Sequence, residues 1–327
     1  VGASRGLARF NSQTGSFTRF SNDPANPASL SNNVITSIFQ DSRGALWVGT
    51  MSGLNQFDPA KNEFIIFRNE PSNKLSISFD SIAAIVEDAS GTLWVGTDRG
   101  LNRFDHTNQT FTRYLNQSDN PHSLGYDNIC AMLVDRNGTL WIGTDDGLDR
   151  YDAERGRFVH YRHEPLVRDS ISNNIIFSLY EDRGGILWVG TWGGGVNKFD
   201  PGQNKFTYYR HEPRKANSLP DGSVWAILPE ETGRVWVGYF GSGLVLFDTA
   251  SGQVSATYQP DEKKPGSLGS SFVYSLLRDS QGILWVGTAN GLDQFDEQTG
   301  TFIHHRADRS DPDRSEERRV GKECRSR

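Results

Sequence analysis

Tryptophan recurs along this chain at a nearly fixed interval. Trp47, Trp94, Trp141, Trp188, Trp236 and Trp285 stand 47, 47, 47, 48 and 49 residues apart, each inside LWVG, LWIG or VWVG. A period of this length marks a chain built from stacked supersecondary units. One unit runs from Ser29 to Lys74 and holds four strand-like segments: Val34 to Gln40, Ala45 to Thr50, Gly53 to Asp58 and Glu63 to Arg68. Each is rich in β-branched or aromatic residues and is bounded by Gly, Asp, Asn or Pro. The connectors are hairpin-sized. DSRG, Asp41 to Gly44, returns as DASG, DRNG, DRGG, EETG and DSQG. An acceptor side chain first and Gly last is turn chemistry. No segment of helical length shows a 3.6-residue period. Four antiparallel strands per repeat predict an all-β chain, a β-propeller of four-stranded blades.

Six complete blades are expected at 29–75, 76–122, 123–169, 170–217, 218–266 and 267–313. Residues 1–28 read as a half blade, strands three and four of an earlier unit. VGASRGLARF at the start matches VGTDRGLNRF, Val95 to Phe104, at seven of ten positions. The chain therefore reads as a fragment cut at both ends, from a seven-bladed ring that missing strands would close. Residues 314–327, RSEERRVGKECRSR, resemble the translation of a sequencing adapter and read as a non-native, disordered tail. That tail carries six basic and three acidic residues, so the net charge of -6 becomes -9 without it. An acidic chain argues against nucleic acid or an anionic membrane as partner. No apolar run approaches the roughly 20 residues of a membrane helix. Cys130 is the one thiol left outside the tail, so no internal disulfide is expected.

Strand alternation places Trp47 and Gly49 on one face and Leu46 and Val48 on the other. The repeated tryptophans are expected to fill the space between neighbouring blades. Ser37, Ala84, Ala131, Ser178, Ala226 and Ser275 form a column of small residues on the first strand of each unit. Small side chains suit an innermost strand crowded toward an axis.

The stretch SLSNNVITSIFQDSRGALWVGTMSGLNQFD, with the lead-in NPASL at Asn26 to Leu30, resembles the two-component regulator propeller repeat. The matching features are the D-x-x-G turn, LWVGT and GLN[RQ]FD. The fifth repeat departs, with VWVGYFGSGLVLFD. The resemblance implies a periplasmic sensing propeller, followed in the intact protein by an immunoglobulin-like connector, a membrane helix and a histidine kinase or diguanylate cyclase. It implies a homodimeric receptor for an oligosaccharide or other small extracellular ligand, attached to the membrane only through missing downstream segments.

Residues that break the repeat on the loop-bearing face are the candidates for binding. The turns between second and third strands read MSG, DRG, DDG, WGGG, FGSG and ANG. Trp192 and Phe240, with Tyr239 beside it, could stack on a sugar ring, or wedge between blades. Asp145 and Asp146 could bind hydroxyls or a cation, or sit in a solvated turn. Asp98 and Arg99 occupy the same turn in the second repeat, with Arg5 as a copy of Arg99, and Asn290 in the sixth. Asn33, Asp80, Asp127 and Asn174 read as turn caps. His163 and His211 lie in a repeated RHEP and read as structural. His304 and His305 point to opposite strand faces and cannot chelate together. No P-loop or HExxH motif occurs, and no catalytic residue, metal or cofactor is expected. The alternatives to a sensor are a propeller polysaccharide lyase or glycosidase, with Asp145 and Asp146 as the only adjacent carboxylate pair in the turns between second and third strands, and a protein-interaction scaffold.

Overall fold

The computed structural model describes residues 2, 3, 6–11, 16–167, 169–203, 205–215, 217–230 and 232–305. Arg5 and the tail 314–327 lie outside them. The fold is a β-propeller: every regular element among the described residues is a strand, and six sheets have four antiparallel strands in sequence order. Blade 1 is Ile35–Gln40, Leu46–Thr50, Gly53–Asp58 and Glu63–Phe67. Blade 2 is Ile82–Glu87, Leu93–Thr97, Gly100–Asp105 and Thr110–Tyr114. Blade 3 is Ile129–Val134, Leu140–Thr144, Gly147–Asp152 and Arg157–Tyr161. Blade 4 is Ile176–Glu181, Leu187–Thr191, Val196–Asp200 and Lys205–Tyr209. Blade 5 is Val224–Pro229, Arg234–Tyr239, Leu244–Asp248 and Gln253–Tyr258. Blade 6 is Val273–Arg278, Leu284–Thr288, Gly291–Asp296 and Thr301–His305. A smaller sheet of Gly2–Ala3, Gly6–Asn11 and Ser16–Phe20 precedes them. Two compact units result, one reaching to His160 and the other starting at Tyr161.

Within each unit the repeated tryptophan packs as the alternation predicts. Trp47 is fully buried among Ile77, Ile82, Leu93 and Phe104 of blade 2, with its ring 5.1 Å from that of Phe104. Trp94 packs in the same way against Leu124, Ile129 and Leu140 of blade 3. Trp188 joins Leu219, Val224 and Val237 of blade 5, and Trp236 joins Leu268, Val273 and Leu284 of blade 6. Trp285, in the last described blade, is half-buried.

The glycine two residues after Trp47, Trp94, Trp188 and Trp236 is explained by the next blade. A Cβ on Gly49 would stand 2.7 Å from Ile82, and one on Gly238 would stand 2.6 Å from Val273. The first strand of the following blade thus lies directly against the second strand of the preceding one. The column of small residues pairs across to these glycines, Ser37 with Gly49 and Ala226 with Gly238.

The D-x-x-G turn does more than turn the chain. In every blade its first residue also accepts a hydrogen bond from the indole Nε1–H six residues later. The pairs are Asp41–Trp47 at 2.8 Å, Asp88–Trp94 at 2.8 Å, Asp135–Trp141 at 2.9 Å, Asp182–Trp188 at 2.8 Å, Glu230–Trp236 at 2.7 Å and Asp279–Trp285 at 2.8 Å. The other carboxylate oxygen of Asp41 takes the backbone N–H groups of Arg43 and Ala45. A buried indole N–H and a buried carboxylate satisfy each other, which removes the penalty each would carry alone.

These bonds make the fold sensitive to acid. The Trp285 indole and the backbone N–H of Ile283 hold the Asp279 carboxyl below its usual range. Burial works to raise Asp88, but the Ser90 hydroxyl, the Trp94 indole and two backbone N–H groups outweigh it. Asp296 is lowered by the Thr299 hydroxyl and the Gln298 N–H. A carboxyl lowered in the folded state stabilises the fold above its unfolded value, about 3.9, and that contribution is lost as pH falls through the folded value. The urea midpoint is therefore expected to be lower at about pH 3 than at about pH 5. Equal midpoints would contradict the assignment.

Candidate functional site

The turn between second and third strands is built around a buried threonine. Thr50 Oγ1 donates to the Gly53 carbonyl at 3.0 Å and accepts from the Ser52 N–H at 3.0 Å. Thr97, Thr144 and Thr288 repeat both bonds, and Thr191 repeats the donation to Gly195. Blade-to-blade lead-ins reach the same end. There Asn33, Asp80, Asp127 and Asn174 accept backbone N–H groups from Asn22, Asn69, Asn116 and His163, so they act as caps.

At this same end the first strand carries a bulge. Pairing with the second strand skips Thr36, Ala83, Cys130, Phe177, Trp225 and Tyr274. A bulge re-aims the side chain it frees. Blades 1 to 3 place Thr, Ala and Cys there, whereas blades 4 to 6 place Phe, Trp and Tyr. Those three aromatics meet the repeat-breaking residues of the turns. Phe177 lies 5.5 Å from Trp192 and stacks on Trp225 at 5.0 Å; Trp225 stacks on Phe240 at 4.8 Å. Phe240 meets Phe272 edge-on at 4.7 Å, and Tyr274 lies 5.7 Å from Trp225. The result is a continuous arc of aromatic rings over three blades. Trp192, Phe240 and Phe272 remain 46%, 41% and 36% exposed. Aromatic surface left open in one patch is a candidate binding face. The Trp225 indole N–H is buried without a hydrogen-bond partner.

Trp192 and Phe240 therefore belong to one surface. Tyr239 does not join it, and its expected role as a stacking residue is corrected. It is fully buried in the core shared by blades 4 and 5 because it stands where the other blades have the turn threonine. Burial pushes its phenol well above the usual range. The fifth turn is closed instead by the Tyr239 N–H on the Gly243 carbonyl at 2.9 Å.

The remaining candidates are held in local structure. Asp145 accepts from Asn128 Nδ2 at 2.7 Å and from the Cys130 thiol at 3.3 Å. Asp146 beside it is half-buried, and its N–H donates to the Thr144 hydroxyl. Asp98 is half-buried, and its N–H donates to the Ser81 carbonyl. Arg99 is exposed, with its guanidinium 4.6 Å over the Phe79 ring, a cation–π contact. Asn290 Nδ2 donates to the Gly269 carbonyl at 2.8 Å. Among the described residues, no three His, Cys, Asp or Glu side chains are placed to hold a metal ion. No described helix is long and apolar enough to cross a membrane.

The two RHEP histidines replace asparagines of other repeats. Asn22, Asn69 and Asn116 donate Nδ2–H to the carbonyls of Leu30, Ile77 and Leu124, each at 2.8 Å. His163 and His211 do the same from Nδ1 to Ile171 and Leu219, at 2.7 and 2.9 Å. Two further pairs were not foreseen. Where blades 1, 2 and 4 have a buried Asn on the third strand, blades 3 and 6 have Asp149 and Asp293. These bind His160 at 2.7 Å and His304 at 2.6 Å on the fourth strand.

The SMP-30/Gluconolactonase/LRE-like region model matches residues 54–269, and the two component regulator propeller model matches residues 29–52 and 267–290. No curated protein matches the chain. PorZ, a bacterial surface component of the type-IX secretion system of Porphyromonas gingivalis, is similar in structure at a TM-score of 0.63 and 17% identity, over 90% of this chain and 44% of PorZ. Virginiamycin B lyase from Staphylococcus aureus gives a TM-score of 0.57 at 12% identity, over 83% of each chain. The extracellular domain of a B. thetaiotaomicron protein, described as a hybrid two component system, gives 0.45 at 20% identity, over 93% of this chain and 52% of that one. The present chain thus spans about half of that domain. It belongs to the SMP-30/Gluconolactonase/LRE-like region family, with two segments, 29–52 and 267–290, that match the two component regulator propeller model.

Proposed function

We propose that this propeller is the ligand-sensing part of an extracytoplasmic bacterial receptor, and that it binds an oligosaccharide on the aromatic arc of blades 4 to 6 without turning it over. The arc carries the reading. Sugar rings present C–H faces that pack on exposed aromatic rings, while their hydroxyls stay free for hydrogen bonds. The two-component repeats support a sensory role. In the intact receptor, the propeller would work as a homodimer and sit in the periplasm. It would signal to a histidine kinase or a diguanylate cyclase.

An enzymatic reading has its own support in the family name and in the fold shared with virginiamycin B lyase. Catalysis needs a base free to take a proton. Of the two candidates, Asp145 is already engaged by Asn128 and Cys130, and Asp146 is half-buried in the same turn.

The test is to titrate the purified chain with mixed glycan digests, following tryptophan fluorescence and product formation together. A saturable spectral change with no new reducing ends and no unsaturated products is expected. Products that vanish in Asp145→Asn or Asp146→Asn would establish the enzyme instead.

A further inference from the structure

The turns and lead-ins of the two units differ in charge as well as in aromatic content. In blades 4 to 6 the positions 173–175, 192–195, 221–223, 240–243, 270–272 and 289–291 include one charged residue, Asp221. The matching positions of blades 1 to 3 carry five aspartates and one arginine. Apart from Asp221, the polar side chains at these positions are serine and asparagine, which suit hydroxyls. No lysine or arginine stands among those positions to meet a sulfate or carboxylate. An anion brought to an aromatic surface without a cationic partner pays its desolvation uncompensated. Asp221 would add repulsion.

A second observation comes from within the stack. The Trp225 indole N–H and the hydroxyl of Ser178, next to Phe177, are both buried and unpartnered. A buried donor without an acceptor is destabilising, and a hydroxyl or ether oxygen that reaches it recovers that loss.

Resting on the sensing role proposed above, we infer that the arc selects a neutral glycan over a polyanionic one, with sugar faces stacked on Trp192 and Phe240 and an oxygen accepting from Trp225. The recognised segment carries neither sulfate nor uronate where it lies on blades 4 to 6. Trp225 is a specificity residue through its N–H as well as its ring.

The experiment is calorimetric titration of the full chain with two probe sets. The neutral set is cellohexaose, xylohexaose, mannohexaose and laminarihexaose; the anionic set is a hexameric oligogalacturonate and a heparin hexasaccharide. At least one neutral probe is expected to bind, and the double variant Trp192→Ala/Phe240→Ala to weaken it by about tenfold or more. Trp225→Phe, which keeps a ring and removes the donor, is expected to weaken it by roughly threefold to tenfold. Unchanged melting curves confirm that both variants fold. If an anionic probe binds more tightly than every neutral one and depends on the same rings, the neutral selectivity is wrong and the sensing role stands. If no probe binds below roughly millimolar concentration, both fall. Neutral binding that is unchanged in the double variant overturns the placement on the arc.

Discussion

Trp47→Ala is expected to lower the unfolding free energy by about 3–5 kcal/mol. The side chain is fully buried, and it contacts rings of its own blade and of the next, Phe67 at 5.9 Å and Phe104 at 5.1 Å. Removing it opens a cavity between two sheets whose backbones are fixed by their ladders, so little collapse can follow. It also strips the Asp41 carboxylate, which is buried, of its indole donor. Trp47→Phe separates the two effects. It keeps most of the apolar volume and loses the N–H, and should cost about 1–3 kcal/mol. Urea denaturation of both variants measures the difference. Equal losses would mean that the packing contributes nothing beyond the hydrogen bond, and no loss in Trp47→Phe would mean that the hydrogen bond contributes nothing.

Gly96→Ala should be nearly as damaging for its size, by about 1–3 kcal/mol. The added Cβ would lie 2.6 Å from Ile129 Cγ2 and 3.1 Å from Ile129 Cβ. Ile129 is fully buried on the first strand of blade 3, so its branch point has nowhere to move. Ile129→Ala removes the obstructing carbon. The double variant should then lose less stability than the two single losses added together. Strict additivity, measured by the same urea series, would show that the glycine is required for another reason.

Much of this architecture was legible because its causes are local. Turn chemistry and period-two alternation placed the strands of blade 1 within a residue of their observed ends, and the spacing of Trp47 and Gly49 announced the packing of sheet on sheet. The partner of each indole was harder to see. Asp41 and Trp47 are brought together only once the hairpin closes, so the D-x-x-G motif looked like a turn and nothing more. The aromatic arc was half legible. Trp192 and Phe240 broke the repeat in a turn and drew notice. Phe177, Trp225 and Tyr274 lie inside a strand, where alternation assigns a side chain to one face or the other, and a bulge is what removes them from that rule. Comparing the first strands of the six repeats position by position shows the change from Thr36, Ala83 and Cys130 to three aromatics. Tyr239 was misread for the complementary reason. It looked like a neighbour of Phe240 in an exposed turn, but it occupies the column of Thr50 and Thr97, which points inward.

The indole and its acceptor lie six residues apart in each repeat, within one hairpin. Each copy of the repeat therefore carries both halves of its own lock. Duplicating or deleting a whole unit leaves no buried carboxylate or indole stranded in a neighbouring copy. Blade number in such a chain can change in single genetic steps, while a change that separates the two residues of one hairpin breaks its lock.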